Sequence, residues 1–152
     1  MNEPVVRSVR VGCSLHDAFT TFTARLDLWW PRAHRRFSGS VMVLEPWTGG
    51  GFFEKAPDGH EARLGEVRKF EPPHAFSYTW FPGAIEKPTL VEVTFVQQKD
   101  EVVVTVTHGE GESGLGDEWP RRAIRFAKSW EEVVPAFEIF VASEESVLLE
   151  EE

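Results

Sequence analysis

The longest hydrophobic pattern of the chain lies between Glu118 and Ala142. Its apolar residues recur every three or four positions, which is the period of one helix face. They are Trp119, Ala123, Phe126, Ala127, Trp130, Val133, Val134, Phe137, Phe140 and Val141. The pattern predicts a long amphipathic helix whose aromatic side chains need a broad apolar partner. Pro135 falls inside this helix, so we expect a kink or a break just before it.

The N-terminal part of the chain has the pattern of one strand and one short helix. Val5 to Val11 alternates apolar and polar residues, as a half-buried strand does. Ser14 stands where a helix N-cap belongs, and the spacing of apolar residues from Leu15 to Leu26 predicts a first, shorter helix. Because a proline disfavours helix at the residue before it, this helical segment should end before Pro31.

Extended stretches separated by turn residues fill the middle of the chain. They run over about Ser40–Glu45, Phe52–Glu54, His60–Phe70, Ala75–Phe81, Val91–Phe95 and Val102–His108. Asp58-Gly59, Pro72-Pro73 and Lys99-Asp100 supply tight turns between them. Short connections pair neighbouring strands antiparallel. The chain therefore predicts an α+β domain in which an antiparallel sheet packs under the long C-terminal helix.

Composition and charge narrow the class of protein. The formal net charge of -9 argues against nucleic-acid binding, which depends on Lys and Arg neutralising phosphates. Cys13 is the sole cysteine, so a disulfide framework is excluded and a reducing, cytoplasmic location is expected. No apolar run approaches the ~18 residues of a membrane span. The acidic residues near the C-terminus predict a frayed, solvated end.

Two local clusters could bind anions. Arg32, His34, Arg35 and Arg36 form the densest basic stretch, which is either a solvated rim or the mouth of an anion-attracting site. Three glycines at 49–51 could cradle a phosphate, but no Gly-Lys-Ser/Thr motif follows them, so we interpret them as a hairpin turn or bulge. The histidines are scattered, which predicts no metal site, and GxSxG, the serine-nucleophile signal, is absent.

Several short motifs resemble a known family. They are Ser14-Leu15-His16-Asp17-Ala18-Phe19, Trp29-Trp30-Pro31-Arg32-Ala33-His34, Glu45-Pro46-Trp47-Thr48-Gly49-Gly50-Gly51-Phe52-Phe53-Glu54, Asp58-Gly59, Gly65-Glu66-Val67, Glu71-Pro72-Pro73, Thr79-Trp80 and Ser129-Trp130. Their order and spacing are similar to those of the activator of heat-shock protein 90 ATPase homologue-like family, within the START-like or SRPBCC superfamily. The resemblance runs from about Val5 to Val141.

The resemblance implies a helix-grip fold. In this fold a curved antiparallel sheet of about six to seven strands wraps around a long C-terminal helix, with one or two short helices after the first strand. With the chain length and the glutamates at the end of the chain, we expect a single START-like domain at residues 1–143 and an acidic tail at 144–152. The resemblance also implies a hydrophobic cavity between sheet and helix. We predict no cofactor.

The candidate cavity residues combine the helix stripe with strand residues expected to face inward. They are Trp29, Trp30, Phe37, Phe52, Glu54, Tyr78, Trp80, Val93, Phe95, Val104, His108, Phe126, Trp130 and Phe137. The alternative is that these side chains pack solidly, as protein interiors do. His108 and Glu54 are the candidate catalytic pair, because an imidazole and a carboxylate in a dry pocket suit general acid-base chemistry.

Three functions stay open at this level. The first is binding of a small hydrophobic or aromatic molecule in the cavity, motivated by 12 Phe and 6 Trp in 152 residues. The second is a cyclase- or hydrolase-type enzyme that uses His108 and Glu54. The third is a co-chaperone-like module that stimulates an ATPase, for which the acidic surface is the motive. A homodimer and an unidentified protein partner also stay open.

Overall fold

The computed structural model describes residues 2–81 and 87–151. Within them the chain forms seven strands: β1 (Val5–Val11), β2 (Val41–Leu44), β3 (Gly51–Lys55), β4 (Glu61–Glu71), β5 (Ala75–Trp80), β6 (Thr89–Gln98) and β7 (Glu101–Gly109). It also forms three α-helices: α1 (Leu15–Thr23), α2 (Leu26–Trp29) and α3 (Trp119–Glu151). Short 3-10 turns cover Arg32–His34 and Gly116–Glu118.

The strands make one antiparallel sheet in the order β1-β7-β6-β5-β4-β3-β2. The first strand pairs with the last one, so that Val5 lies opposite His108 and Val11 opposite Val102. The remaining strands follow in sequence order as an antiparallel meander. The sheet curls into a half-barrel around α3, which confirms the predicted α+β helix-grip fold.

The helical segment after β1 starts as predicted and then divides. The backbone N–H of Asp17 donates to the Ser14 hydroxyl at 3.0 Å, which caps α1. The Trp29 indole donates to the carbonyl of Thr21 at 2.9 Å, the acceptor that the Arg25 N–H would use in a continuous helix. Arg25 instead donates to the Thr20 carbonyl, so the chain forms two short helices where we expected one.

The long helix differs from its prediction at the C-terminal end. It is continuous through Pro135, so the expected break is absent, while the expected kink stays a prediction. It also continues beyond Ala142 to Glu151, in contrast to the frayed end that we expected. Residues 143–151 contain neither glycine nor proline, and four glutamates with two leucines favour helix.

The glycines at 49–51 form a turn, as we interpreted them. Gly49 has a φ of +92°, a conformation that favours glycine. A side chain on Gly50 would come within 2.7 Å of Glu45 Cβ. The Glu45 carboxylate accepts from the Gly51 backbone N–H at 2.7 Å and closes the connection between β2 and β3.

The middle of α3 packs solidly against α1, α2 and the sheet. The Phe137 ring lies 5.0 Å from that of Phe22 and 5.2 Å from that of Trp29, measured between centroids. Phe19 in turn meets Phe95 at 5.1 Å, edge to face. These rings fill the space under the middle of α3, around Phe137. The cavity between helix and sheet lies nearer the start of the helix.

Candidate functional site

A cavity of about 180 Å³ lies between the N-terminal half of α3 and the sheet, beside the 3-10 turn at Arg32–His34. Its lining combines residues from α3, β5, β7 and the segment after α2. They are Trp30, His34, Trp80, His108, Arg125, Phe126, Ser129, Trp130 and Val133. Four elements distant in sequence meet here because the sheet curls around the helix.

The lining separates into an apolar floor and a polar mouth. On the floor, Trp30, Trp130, Val133 and His108 are buried. The mouth carries Arg125, which is exposed, with Ser129 and His34, which are partly buried. The site can therefore take an apolar group inside and a polar group at the entrance.

The floor contains a hydrogen-bonded chain centred on His108. The Trp130 indole Nε1 donates to His108 Nδ1 at 3.0 Å. His108 Nε2 lies 2.7 Å from the Thr89 hydroxyl, which in turn donates to the Trp80 carbonyl at 3.3 Å. Phe126 stacks on the imidazole with the ring centroids 4.2 Å apart. Both imidazole nitrogens are therefore engaged by protein groups.

These contacts determine the protonation of His108. Because the indole N–H points at Nδ1, that nitrogen must be the acceptor, and the proton of the neutral ring sits on Nε2 and is donated to Thr89. A proton on Nδ1 would face the Trp130 N–H. Burial lowers the pKa of His108 to about 3, which agrees with a neutral ring. Both imidazole nitrogens are already hydrogen-bonded to protein groups, so neither is available to act as a general base.

Glu54, the predicted partner of His108, lies outside the cavity lining. Its carboxylate accepts from the backbone N–H groups of Arg36 at 2.9 Å and Phe37 at 2.8 Å. Burial by itself would raise the pKa of Glu54, but these two hydrogen bonds and the nearby Arg35 charge hold it below its ordinary value. Glu54 is an ionised anchor for the segment after α2, and the structure does not bring it together with His108.

Arg35 is the main structural residue of the basic cluster. Its side chain is 7% exposed and donates to Asp27 Oδ1 at 2.7 Å. It also donates to the carbonyls of Asp27, Trp30 and Ser40 at 2.7–2.8 Å. Because Asp27 Oδ1 accepts from the Met42 N–H as well, this arginine ties α2 to β2. It is neither a solvated rim nor part of an anion-attracting mouth.

His34 is the member of the basic cluster that reaches the cavity. Its Nε2 lies 2.9 Å from Glu132 Oε2 on α3. This contact connects the 3-10 turn to the long helix. Arg32 is exposed and does not line the cavity. The basic stretch therefore divides into side chains with separate roles.

The structure brings together five of the predicted site residues and places the others elsewhere. Those lining the cavity are Trp30, Trp80, His108, Phe126 and Trp130. The others surround it or belong to the solid part of the core: Trp29, Phe37, Phe52, Glu54, Tyr78, Val93, Phe95, Val104 and Phe137. Tyr78 is fully enclosed, and burial raises the pKa of its hydroxyl, so it is protonated.

Sequence reasoning missed three lining residues on α3, namely Arg125, Ser129 and Val133. They recur at every fourth position, so they lie along one edge of the helix. The sequence contains a signal for these positions, because Val133 belongs to the apolar stripe and the other two each directly precede one of its residues. Arg125 and Ser129 are polar, so the apolar stripe that predicts the cavity wall does not include them.

No group of His, Cys, Asp and Glu side chains suited to a metal ion occurs in the described ranges. Among residues 2–81 and 87–151, none of the helices has the length and apolar character that a bilayer crossing needs.

Comparison with known proteins identifies the family. The model of the family described as Activator of Hsp90 ATPase homolog 1-like protein matches residues 14–141. This range extends from the N-cap of α1 into the C-terminal half of α3, so it includes every residue of the cavity lining. No curated protein matches the chain by sequence.

Solved structures share the fold at low sequence identity. Protein MLL2253 from Mesorhizobium loti is 16% identical with a TM-score of 0.69, and the match covers 92% of this chain and 97% of that one. Protein NE0264 from Nitrosomonas europaea is 11% identical with a TM-score of 0.67, covering 95% and 97%. CalU16 from Micromonospora echinospora is 13% identical with a TM-score of 0.65, covering 90% and 72%.

Proposed function

The chain belongs to the Activator of Hsp90 ATPase homolog 1-like family of the START-like superfamily, and we propose that it binds a small hydrophobic or aromatic molecule in the cavity under α3. The observation that carries the proposal is a cavity whose buried floor is built from Trp30, Trp130 and the Phe126-stacked His108. Aromatic walls of this kind bury large apolar area and favour flat rings in offset or edge-to-face contact.

The volume limits the size of the ligand. Sites for drug-sized molecules usually measure about 300–1,000 Å³, whereas a cavity of about 150 Å³ accepts benzene. At about 180 Å³ this cavity suits one aromatic ring with a short substituent. A long acyl chain would need more space than the cavity provides in this conformation.

Catalysis by the His108 and Glu54 pair has no support from the geometry. A general base needs a nitrogen within reach of the substrate proton. Nδ1 of His108 already accepts from Trp130, and Nε2 is bonded to Thr89. Glu54 is held by the backbone of Arg36 and Phe37. Binding therefore accounts for the site better than acid-base chemistry does.

Stimulation of an ATPase would depend on the outer surface of the molecule. The feature that motivates this function is the net charge of -9, which is a property of the whole chain. Unchanged rates of a candidate ATPase on addition of the protein would count against this function and would leave the cavity proposal unaffected.

The proposal is tested with single-ring aromatic compounds and a variant whose cavity is filled. Ser129 lies at the mouth, so Ser129→Phe should place a ring inside the cavity while the helix stays intact. Ser143→Phe makes the same change at an exposed position of α3 and serves as the control. Thermal unfolding and calorimetric titration are measured with toluene-sized alcohols, amides and carboxylates.

We expect at least one compound to raise the Tm of the wild type and of Ser143→Phe, because a ligand bound to the folded state stabilises it. Ser129→Phe should bind the same compound at least tenfold more weakly. If no compound of this size binds the wild type, or if Ser129→Phe binds as well as the control, the proposed function is wrong.

A further inference from the structure

The floor of the cavity has little hydrogen-bonding capacity left for a ligand. Both nitrogens of His108 and the indole N–H of Trp130 are engaged with each other and with Thr89. The Trp30 indole N–H donates to the His34 carbonyl at 3.4 Å. A polar ligand atom placed on this floor would lose its hydrogen bonds to water without replacement, which costs free energy. The floor formed by His108, Trp130 and Trp30 therefore favours an apolar group on the inner part of the ligand.

The mouth, in contrast, has an available cation. Arg125 lies one helical turn before Ser129, and both line the cavity. Within the described part of the chain Arg125 makes no salt bridge. The carboxylate of Glu132, on the same helix, contacts His34 at 2.9 Å.

The neighbouring turn of α3 strengthens the positive character of the mouth. Arg121, Arg122 and Arg125 line a shallow cleft together with Glu118. Three arginines on two turns of helix are a local excess in a chain whose net charge is -9. Such a surface attracts anions to the entrance at low ionic strength.

From this polarity we infer that the ligand is a small amphipathic anion that consists of one aromatic ring with a carboxylate. The inference rests on the proposed function. The ring lies on Trp30, Trp130 and Phe126, and the carboxylate meets Arg125 at the mouth. A guanidinium presents two parallel N–H donors that match a carboxylate. The Ser129 hydroxyl, on the same edge of α3, is placed to donate to the same group.

Matched probes distinguish the contribution of the carboxylate to binding from that of the ring. Phenylacetate and phenylacetamide have nearly the same shape, but only the first is charged, and acetate supplies the charge without the ring. Arg125→Gln removes the cation and keeps a polar side chain of similar reach. Arg10→Gln removes one positive charge at the distant sheet edge, where Arg10 contacts Gln98, and is the control.

We expect the wild type and Arg10→Gln to bind phenylacetate roughly five- to tenfold more tightly than phenylacetamide at low salt, with a smaller ratio at high salt. Arg125→Gln should abolish this ratio by weakening phenylacetate alone. Because an exposed ion pair is worth only about 1 kcal/mol in water, a larger ratio is not expected. Acetate should not compete at comparable concentrations.

Three results would overturn the inference. Phenylacetamide could bind as tightly as phenylacetate, or Arg125→Gln could keep the wild-type ratio, or acetate could compete as well as phenylacetate does. In the first two cases binding itself persists, so the carboxylate inference fails while the proposed function stands. If neither aromatic probe binds the wild type, the carboxylate inference fails, and the proposed function fails as well when none of the other single-ring compounds binds.

Discussion

The Trp130 indole Nε1 donates to His108 Nδ1 at 3.0 Å and thereby joins the long helix to the last strand at the floor of the cavity. This hydrogen bond fixes the orientation of the Trp130 ring, which is a wall of the cavity. It also assigns the proton of neutral His108 to Nε2, which donates to Thr89. The cavity is therefore shaped by a buried polar chain whose members all have partners.

The neutral state of His108 predicts a loss of stability in mild acid. Its pKa in the folded protein is about 3, below the ordinary 6.5, so between these values the unfolded chain binds a proton that the folded protein does not. Stability therefore falls as the pH drops from 6.5 toward 3. We expect this group to contribute a loss of about 2 kcal/mol between pH 7 and pH 5, measured by urea unfolding. His108→Gln should lack this component, and parallel pH profiles for the two proteins would contradict the assignment.

Thr89 is predicted to stabilise the fold through its hydroxyl. Thr89→Val keeps the shape but leaves the buried N–H of His108 without an acceptor. The expected cost is about 1–3 kcal/mol in the free energy of unfolding, because an unsatisfied buried donor loses its hydration. Thr107→Val, on the outer face of β7, should change stability by less than about 0.5 kcal/mol. Equal effects of the two substitutions would contradict the buried chain.

Glu54 is predicted to act through the segment that it anchors. Glu54→Gln keeps one acceptor but presents an NH₂ group to a backbone N–H, so it should destabilise the protein by about 2 kcal/mol at pH 7. The pKa of Glu54 is depressed, so its stabilisation is present above the ordinary value of 4.5 and is lost as the pH falls through the folded pKa. The difference in unfolding free energy between Glu54→Gln and the wild type should therefore decrease as the pH falls through this range.

The exposed Glu61, on the neighbouring strand β4, is the control for this prediction. Glu61→Gln should leave the urea midpoint almost unchanged at both pH values. A Glu54→Gln protein as stable as Glu61→Gln would show that the contacts with Arg36 and Phe37 add nothing to stability.

Arg35 is predicted to be intolerant of lysine. Arg35→Lys keeps the charge but cannot reach Asp27 and the three carbonyls from one planar group, so we expect a loss of about 2–3 kcal/mol. Arg32→Lys, at an exposed position three residues earlier, should be neutral. Thermal unfolding of the two variants decides the matter, and a common Tm would contradict the structural role of Arg35.

Much of the fold could be predicted because local patterns agreed with it. The alternation that ends in Val102, Val104, Val106 and His108 placed all four on the inner face of β7, where they are buried. Strand β1 has the predicted bounds, and the Ser14 cap is observed. These features depend on residues close in sequence, so the spacing of apolar and polar residues can predict them.

The site was harder to predict because it depends on contacts between distant segments. The buried position of Glu54 followed from strand parity, but its partners come from the irregular segment after α2. Phe137 lies on the correct helix face, yet α1 and α2 fill the space beneath it, whereas the space beneath Trp130 stays open. The spacing of apolar residues does not show which part of the stripe packs against other side chains and which part borders a cavity.

The central claim, that a small aromatic molecule enters this cavity, is tested most directly through the tryptophan indole N–H signals in two-dimensional NMR. Titration with phenylacetate or phenylacetamide should shift the signals of Trp30, Trp80 and Trp130 along one saturable curve. Trp47, which is 53% exposed and lies outside the lining, should not follow that curve. Saturable shifts of the three cavity signals would support binding in the cavity. Signals that stay in place up to the solubility limit of both probes would contradict it.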